Sequence, residues 1–195
     1  MKMTRKLKRL PRLALLLTLC FFGMIVQPMQ GFAQDGPAIS IAALRREALN
    51  GPRLTKADQI VVYKSKRLMY LMRDGRILKK YRIALGKNPV GHKIEWGDNR
   101  TPEGKYHIDL KNANSSYFLS LRISYPDSSD SDVAAALETK PGDWVMIHGM
   151  PNDRSATAMG HPDRDWTNGC IAVTNNEMSQ IWRMVDVGTQ ISIWP

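Results

Sequence analysis

The sequence predicts a mainly β domain with two or three helices, and three observations support that class. From Gln59 onward, short runs rich in β-branched and aromatic residues follow one another: QIVVYK, RLMYLMR and RILKKYRIALG. Between the last two, Asp74-Gly75 is the two-residue signal of a tight hairpin, because both residue types tolerate the positive φ that such turns need. Helical signals, by contrast, are short and few, lying within residues 42–49, 132–139 and 174–185.

Residues 1–33 read as a secretory signal peptide. Lys2, Arg5, Lys6, Lys8, Arg9 and Arg12 form a basic start, LALLLTLCFFGMIV an apolar centre, and Gly31-Phe32-Ala33 a small-residue site for cleavage after Ala33. The apolar centre is short against the roughly 20 residues of a membrane span, so the expectation is an exported, periplasmic chain with no membrane span after cleavage. A retained anchor is the alternative. Cys20 follows Leu19, where a lipoprotein signal needs a small residue, so lipidation is not expected. The net charge of +10 owes much to this leader. Without its basic residues the chain is only mildly positive and has no Lys/Arg block of the kind that binds nucleic acid. Cys170 is the one cysteine left after cleavage, so no internal disulfide is expected.

Residues 34–58 form a lead-in. Ser40 can cap a short helix over 42–49, and Asn50-Gly51-Pro52 ends it. The strands then begin, with Ile77, Tyr81, Ile83 and Leu85 expected on one face of the third. Residues 87–104 are polar and rich in Gly and Pro, a long loop. KYHIDLKN and YFLSLRIS pattern as another strand pair, residues 132–139 as a short helix, and DWVMIHG as a buried strand. Thr174 and Glu177 make a capping box, after which Met178, Ile181, Trp182 and Val185 keep helical spacing. Gly188 is expected to stop that helix, and QISIW to form a closing strand.

The chemistry centres on Cys170. A thiol is a poor nucleophile until deprotonated, so a reactive cysteine needs a base or cation nearby. His148 ends the predicted buried strand, and Cys170 precedes a strand-like CIAV and a capped helix. Ends of core elements are rigid mounts for such a pair. Gly169 permits close backbone approach, so nearby amides could cradle an oxyanion. Each residue also has a structural reading: a cysteine beside Ile-Ala-Val as a small buried side chain, a strand-end histidine as packing. His161 is a loop histidine and the rival base, His107 falls on a solvated face, and His92 is uninformative. His148, His161 and Cys170 lack any zinc-ligand spacing, so no metal is expected.

Four stretches, in this order, carry a family resemblance: GDNRTPEGKYHI (97–108), IHGMPN (147–152), DWTNGCIAVTN (165–175) and VGTQISI (187–193). Residues 59–195 resemble the L,D-transpeptidase (YkuD-like) catalytic domain of bacterial cell-wall enzymes. The resemblance implies a curved mixed β-sandwich, a cysteine nucleophile, and no metal or organic cofactor. By position Cys170 resembles the nucleophile and His148 the general base. The carbonyl of Gly149 would orient the imidazole, and Asn168, Gly169 and Cys170 would form the turn that supplies oxyanion donors. Arg100, Asn152, Trp166 and Thr167 are the candidate substrate contacts, although for Asp98 and Arg100 a role as loop-stabilising partners is the preferred reading. Asn168 stands where many members have His before the Gly-Cys pair, and Ala172 where they have Arg. These departures mark a divergent subgroup.

The expected activity is therefore acyl transfer on peptidoglycan stem peptides through a Cys170 thioester, in cell-wall biogenesis and cell shape, with covalent inhibition by carbapenems. Two alternatives stay open. Water could replace the acceptor amine, giving a periplasmic peptidase or amidase, or the domain could be an inactive wall-binding module.

Overall fold

The computed structural model describes residues 40–195, so the signal-peptide reading lies outside the described residues. Among the described residues no helix is long and apolar enough to cross a membrane. The first element is helix α1 (Ile41–Asn50), where the Ser40 side chain accepts a hydrogen bond from the amide of Ala43, as the capping signal predicts.

Strands β1 (Gln59–Tyr63), β2 (Leu68–Arg73) and β3 (Arg76–Arg82) form an antiparallel meander. Asp74 and Gly75 close its second turn at φ 50° and 73°, as the Asp-Gly signal requires. One expectation fails here. A bulge at Leu71/Met72 sets Ile77 opposite Met72, so Ile77 is exposed while Leu78 packs against the core. One extra residue reverses the facing of everything beyond it.

Strands β4 (Gly104–Asn112), β5 (Ser120–Ile123), β6 (Met146–His148), β7 (Ile171–Ala172) and β8 (Gln190–Trp194) complete one mixed sheet, in the order β3-β2-β1-β8-β4-β5-β6-β7. The C-terminal strand is thus not an edge. β8 inserts parallel to β1 and antiparallel to β4, which explains why Ile191, Ser192 and Ile193 are all buried. β4 links the two halves: its residues up to His107 pair with β8, and those from Ile108 with β5 across an irregularity before Leu110. The result is the curled, mostly β architecture expected.

Helices α2 (Ser128–Ala136), α3 (Ala156–Met159) and α4 (Asn175–Met184) complete the described elements. α4 carries the Thr174/Glu177 capping box and packs against α1, burying Met178, Ile181 and Trp182. It ends at Met184, and Gly188 belongs to the turn beyond (φ 91°) rather than to the stop. α2 begins earlier than 132 because Asp127 and Asp130 form a second capping box, an Asp-x-x-Asp variant of the Ser/Thr-x-x-Glu pattern. β5 and β6 are shorter than their apolar runs suggest, since Phe118 and Trp144 adopt positive φ and break the ladder at their starts.

Lys64, only 2% exposed, pins the long loop of residues 87–104 against the sheet. Its ammonium donates to the Gly91 and Thr101 carbonyls at 2.5 and 2.8 Å and to Glu103 Oε1 at 2.8 Å. Burial lowers its pKa, with Glu103 opposing the shift. Lys64→Met should therefore reduce the unfolding free energy by about 3–5 kcal/mol, the cost of stranding a paired, largely buried charge. Lys56→Met, which breaks an exposed pair with Asp186, should cost under about 1 kcal/mol. Urea denaturation of both variants is the check, and similar losses would count against the pinning role.

Candidate active site

β6 and β7 run parallel, with Ile147 opposite Ile171 and His148 opposite Ala172. This register brings His148 and the residue just before β7, Cys170, to the wall of one groove of about 730 Å³. Tyr117, Trp144, Trp166 and Thr167 also line it. Cys170 is a free thiol, half-buried as a residue, with its Sγ 3.7 Å from the carbonyl of Trp144. Protein atoms crowd the sulfur, and this desolvation raises the thiol pKa. The Met146 amide and the Lys93 charge oppose the rise without cancelling it.

His148 is 4% exposed, and its Nδ1 lies 2.7 Å from the carbonyl oxygen of Gly149. A carbonyl only accepts, so Nδ1 carries the proton and the neutral ring keeps its lone pair on Nε2. Burial, outweighing that hydrogen bond, pushes the His148 pKa down to about 4. The resting pair is accordingly a neutral thiol and a neutral imidazole. Tyr117 (ring centroids 4.5 Å apart) and Trp166 (5.6 Å) pack around the imidazole and hold its plane.

Gly149 is tightly enclosed: a Cβ would lie 2.5 Å from Asn175 Oδ1, which accepts a hydrogen bond from the Met150 amide and would have to shift. Gly169 is equally constrained, with φ 131° and only 2.7 Å between a built Cβ and the Arg100 carbonyl. The turn is knotted by Thr167, whose Oγ1 donates to the Cys170 carbonyl at 2.7 Å and accepts from the Gly169 amide at 3.1 Å. The Gly169 amide is thereby committed. Among the described residues, the amides of Asn168 and Cys170 carry no intramolecular partner.

The Asn168 side chain is exposed and accepts a hydrogen bond from Lys87 Nζ at 3.1 Å. If backbone amides provide the oxyanion contacts, Asn168→Ala should keep acylation within a few-fold of wild type. If the side chain donates, the loss should be about 10²–10³-fold. Carbapenem acylation rates of Asn168→Ala and Asn168→His separate the two, and recovery in the His variant alone would refute the backbone account.

Other anticipated residues lie elsewhere. Asp98 accepts from the amides of Ile94, Glu95 and Arg100 and from Lys93 Nζ, so it organises its own loop. Burial alone would raise its pKa, but these donors outweigh it and the carboxyl is held low. Arg100 lines a separate hollow with Asp98 and Leu137 and is not among the residues lining the groove of Cys170. Asn152 brackets residues 115–118 through the Phe118 amide and the Ser115 carbonyl. His161 is a turn residue, as read, but a buried one, and both its ring nitrogens lack a partner among the described residues. It is not among the residues lining the groove. His92, uninformative in sequence, accepts from the Glu103 amide and meets Asp130 at 3.1 Å. Tyr117 and Trp144 carried no recognisable signal, because their places depend on loops whose conformation is set by positive φ at Phe118 and at Trp144 itself.

A buried strand-end histidine and a cysteine on a tight glycine turn thus share one groove on a curled mixed sheet. The L,D-transpeptidase catalytic domain (YkuD) family model matches residues 57–193, and the chain belongs to that family. Among solved structures it is similar to the helical cell shape determining protein Pgp2 from Campylobacter jejuni (24% identity, TM-score 0.54), covering 80% of this chain and 55% of that one. It is also similar to the L,D-transpeptidase from Xylanimonas cellulosilytica (16% identity, TM-score 0.47), covering 73% and 63%. LdtMt1 in complex with imipenem matches at 20% identity and TM-score 0.45, covering 69% and 57%. The chain thus spans little more than half the length of the Pgp2 chain it matches. No significant match is found among curated proteins.

Proposed function

We propose that this chain is an exported cysteine L,D-transpeptidase acting on peptidoglycan stem peptides. The observation that carries the reading is the placement of His148 and Cys170 on one groove, with Nδ1 of His148 bound to the Gly149 carbonyl and Nε2 left as the base. In the proposed reaction Nε2 takes the thiol proton as Sγ attacks the carbonyl carbon of the donor stem. The oxyanion that forms is met by the amides of Asn168 and Cys170. Collapse breaks the C–N bond, the leaving amine takes the proton from His148, and a thioester remains on Cys170. An acceptor amine then attacks the thioester carbonyl, passes its proton to His148, and releases the sulfur, which recovers that proton. Thr167 and Trp166 support this chemistry by holding the turn and the imidazole, rather than by contacting substrate over long range.

The test is mass spectrometry of defined muropeptides incubated with the protein. A crosslinked product that has lost the donor's terminal residue is expected. Trimmed stems alone would select water as acceptor. Absence of any adduct on Cys170, from muropeptides or from a carbapenem, would leave only the inactive wall-binding reading.

A further inference from the structure

A second cavity, of about 280 Å³, meets the groove at Trp144, Asn168 and Cys170. Two indoles wall it, Trp96 at 78% exposed and Trp144 at 51%. Single exposed tryptophans need no explanation, but here two line one hollow beside the reactive thiol. Both are held in place. The Trp96 amide donates to the Lys140 carbonyl at 2.7 Å, and Gly142 (φ 78°) packs so closely that a Cβ there would lie 3.3 Å from Trp96 Cα and Cδ1. Trp144 has φ 58°, a strained setting for a bulky residue, and the Arg122 guanidinium lies 5.1 Å from its ring centroid. Arg122 is itself fixed by Asp109 at 2.8 Å. Strain retained beside a reactive group points to function.

The polar side chains of the lining are Asn99, Asp143, Asn168 and Lys93. The Lys93 ammonium is already occupied by Asp98 and the Glu95 carbonyl, whereas the exposed Asp143 side chain makes no hydrogen bond among the described residues. Aromatic rings that line one hollow together with carboxamide and carboxylate groups suit a ligand that has C–H faces and a rim of hydroxyls. A peptide carboxylate would meet Asp143, and an apolar side chain would find no aliphatic bed beyond buried Val145. We propose that this cavity is a sugar subsite, in which Trp96 and Trp144 stack on an amino-sugar ring of the glycan strand that bears the stem peptide. The choice of an amino sugar rests on the function proposed above; the preference for a neutral pyranose does not.

Two measurements test the proposal. The first titrates Cys170→Ala protein, which cannot turn over, with the neutral β-1,4-linked disaccharide of N-acetylglucosamine, and follows the indole NMR signals. Trp96 and Trp144 should shift, and free stem peptide should leave Trp96 unmoved. The second compares KM for a stem peptide with and without its disaccharide. Wild type should favour the sugar-bearing substrate, and Trp96→Ala should raise that KM about tenfold, the scale of one lost aromatic stack, with kcat and carbapenem acylation unchanged. Unmoved indole signals would overturn the proposal, as would equal KM values in wild type. A parallel loss of carbapenem acylation in Trp96→Ala would assign Trp96 a purely structural role and also overturn it. Should no muropeptide be turned over, the titration still decides the sugar site separately from the enzymatic reading.

Discussion

Cys170→Ala will fold as wild type does and lose acyl transfer down to the solution rate, a loss on the order of 10⁴–10⁶-fold. A methyl group cannot attack a carbonyl. The sulfur lies at the groove, outside the large buried cluster that stabilises the sheet, so the change in unfolding free energy should stay within about 1 kcal/mol. Cys170→Ser should be nearly as inactive. Burial raises the thiol pKa, yet a hydroxyl is far harder still to deprotonate, and His148, held near 4, is too weak a base to overcome that difference. Intact-mass analysis after carbapenem treatment reads the result: one adduct on wild type, none on either variant. An adduct on Cys170→Ala would end the cysteine mechanism.

His148→Ala is expected to slow acylation by about 100-fold or more, the usual scale for losing a general base, whereas His161→Ala should change it far less. The pH profile carries the sharper signature. Because His148 is pushed down to about 4 and the thiol above its ordinary value, both groups are neutral across the middle of the pH range. Wild-type acylation should therefore be flat from about pH 5.5 to 8 and fall only as His148 gains its proton near its own lowered pKa. Without His148 the reaction must wait for free thiolate, and its rate should rise about tenfold per pH unit below the thiol pKa. An acid limb near 6.5 in wild type would show that His148 is not neutralised by burial. Reversed effects of the two histidine variants would move the role of base to His161.

Much of the local structure was legible from residues alone. The Asp74-Gly75 hairpin and the Thr174/Glu177 capping box depend on groups within a few positions of each other, so composition and spacing suffice to reveal them. The bulge that turns Ile77 outward is different, since it is defined by which residue of β2 stands opposite. The same holds for the early start of α2. Its Asp-x-x-Asp box departs from the usual residue pair, so the apolar spacing drew the expected boundary too far along the chain.

At the candidate site, sequence order and spacing sufficed to nominate Cys170 and His148, and the four ordered stretches to indicate the family whose model matches residues 57–193. Sequence alone also determined that the domain would be mostly β, because period and turn chemistry are written locally. Only the tertiary structure decided which other groups share the groove. Tyr117 and Trp144 enter it, while Arg100 and Asn152 are held in contacts of their own. It also decided that β8 lies mid-sheet, and that Lys64 ties down residues 91–103 from β1's end of the sheet. These placements follow from strand order, register and buried polar pairing between residues far apart in the chain, and no local pattern encodes which distant partner a strand or a charge will find.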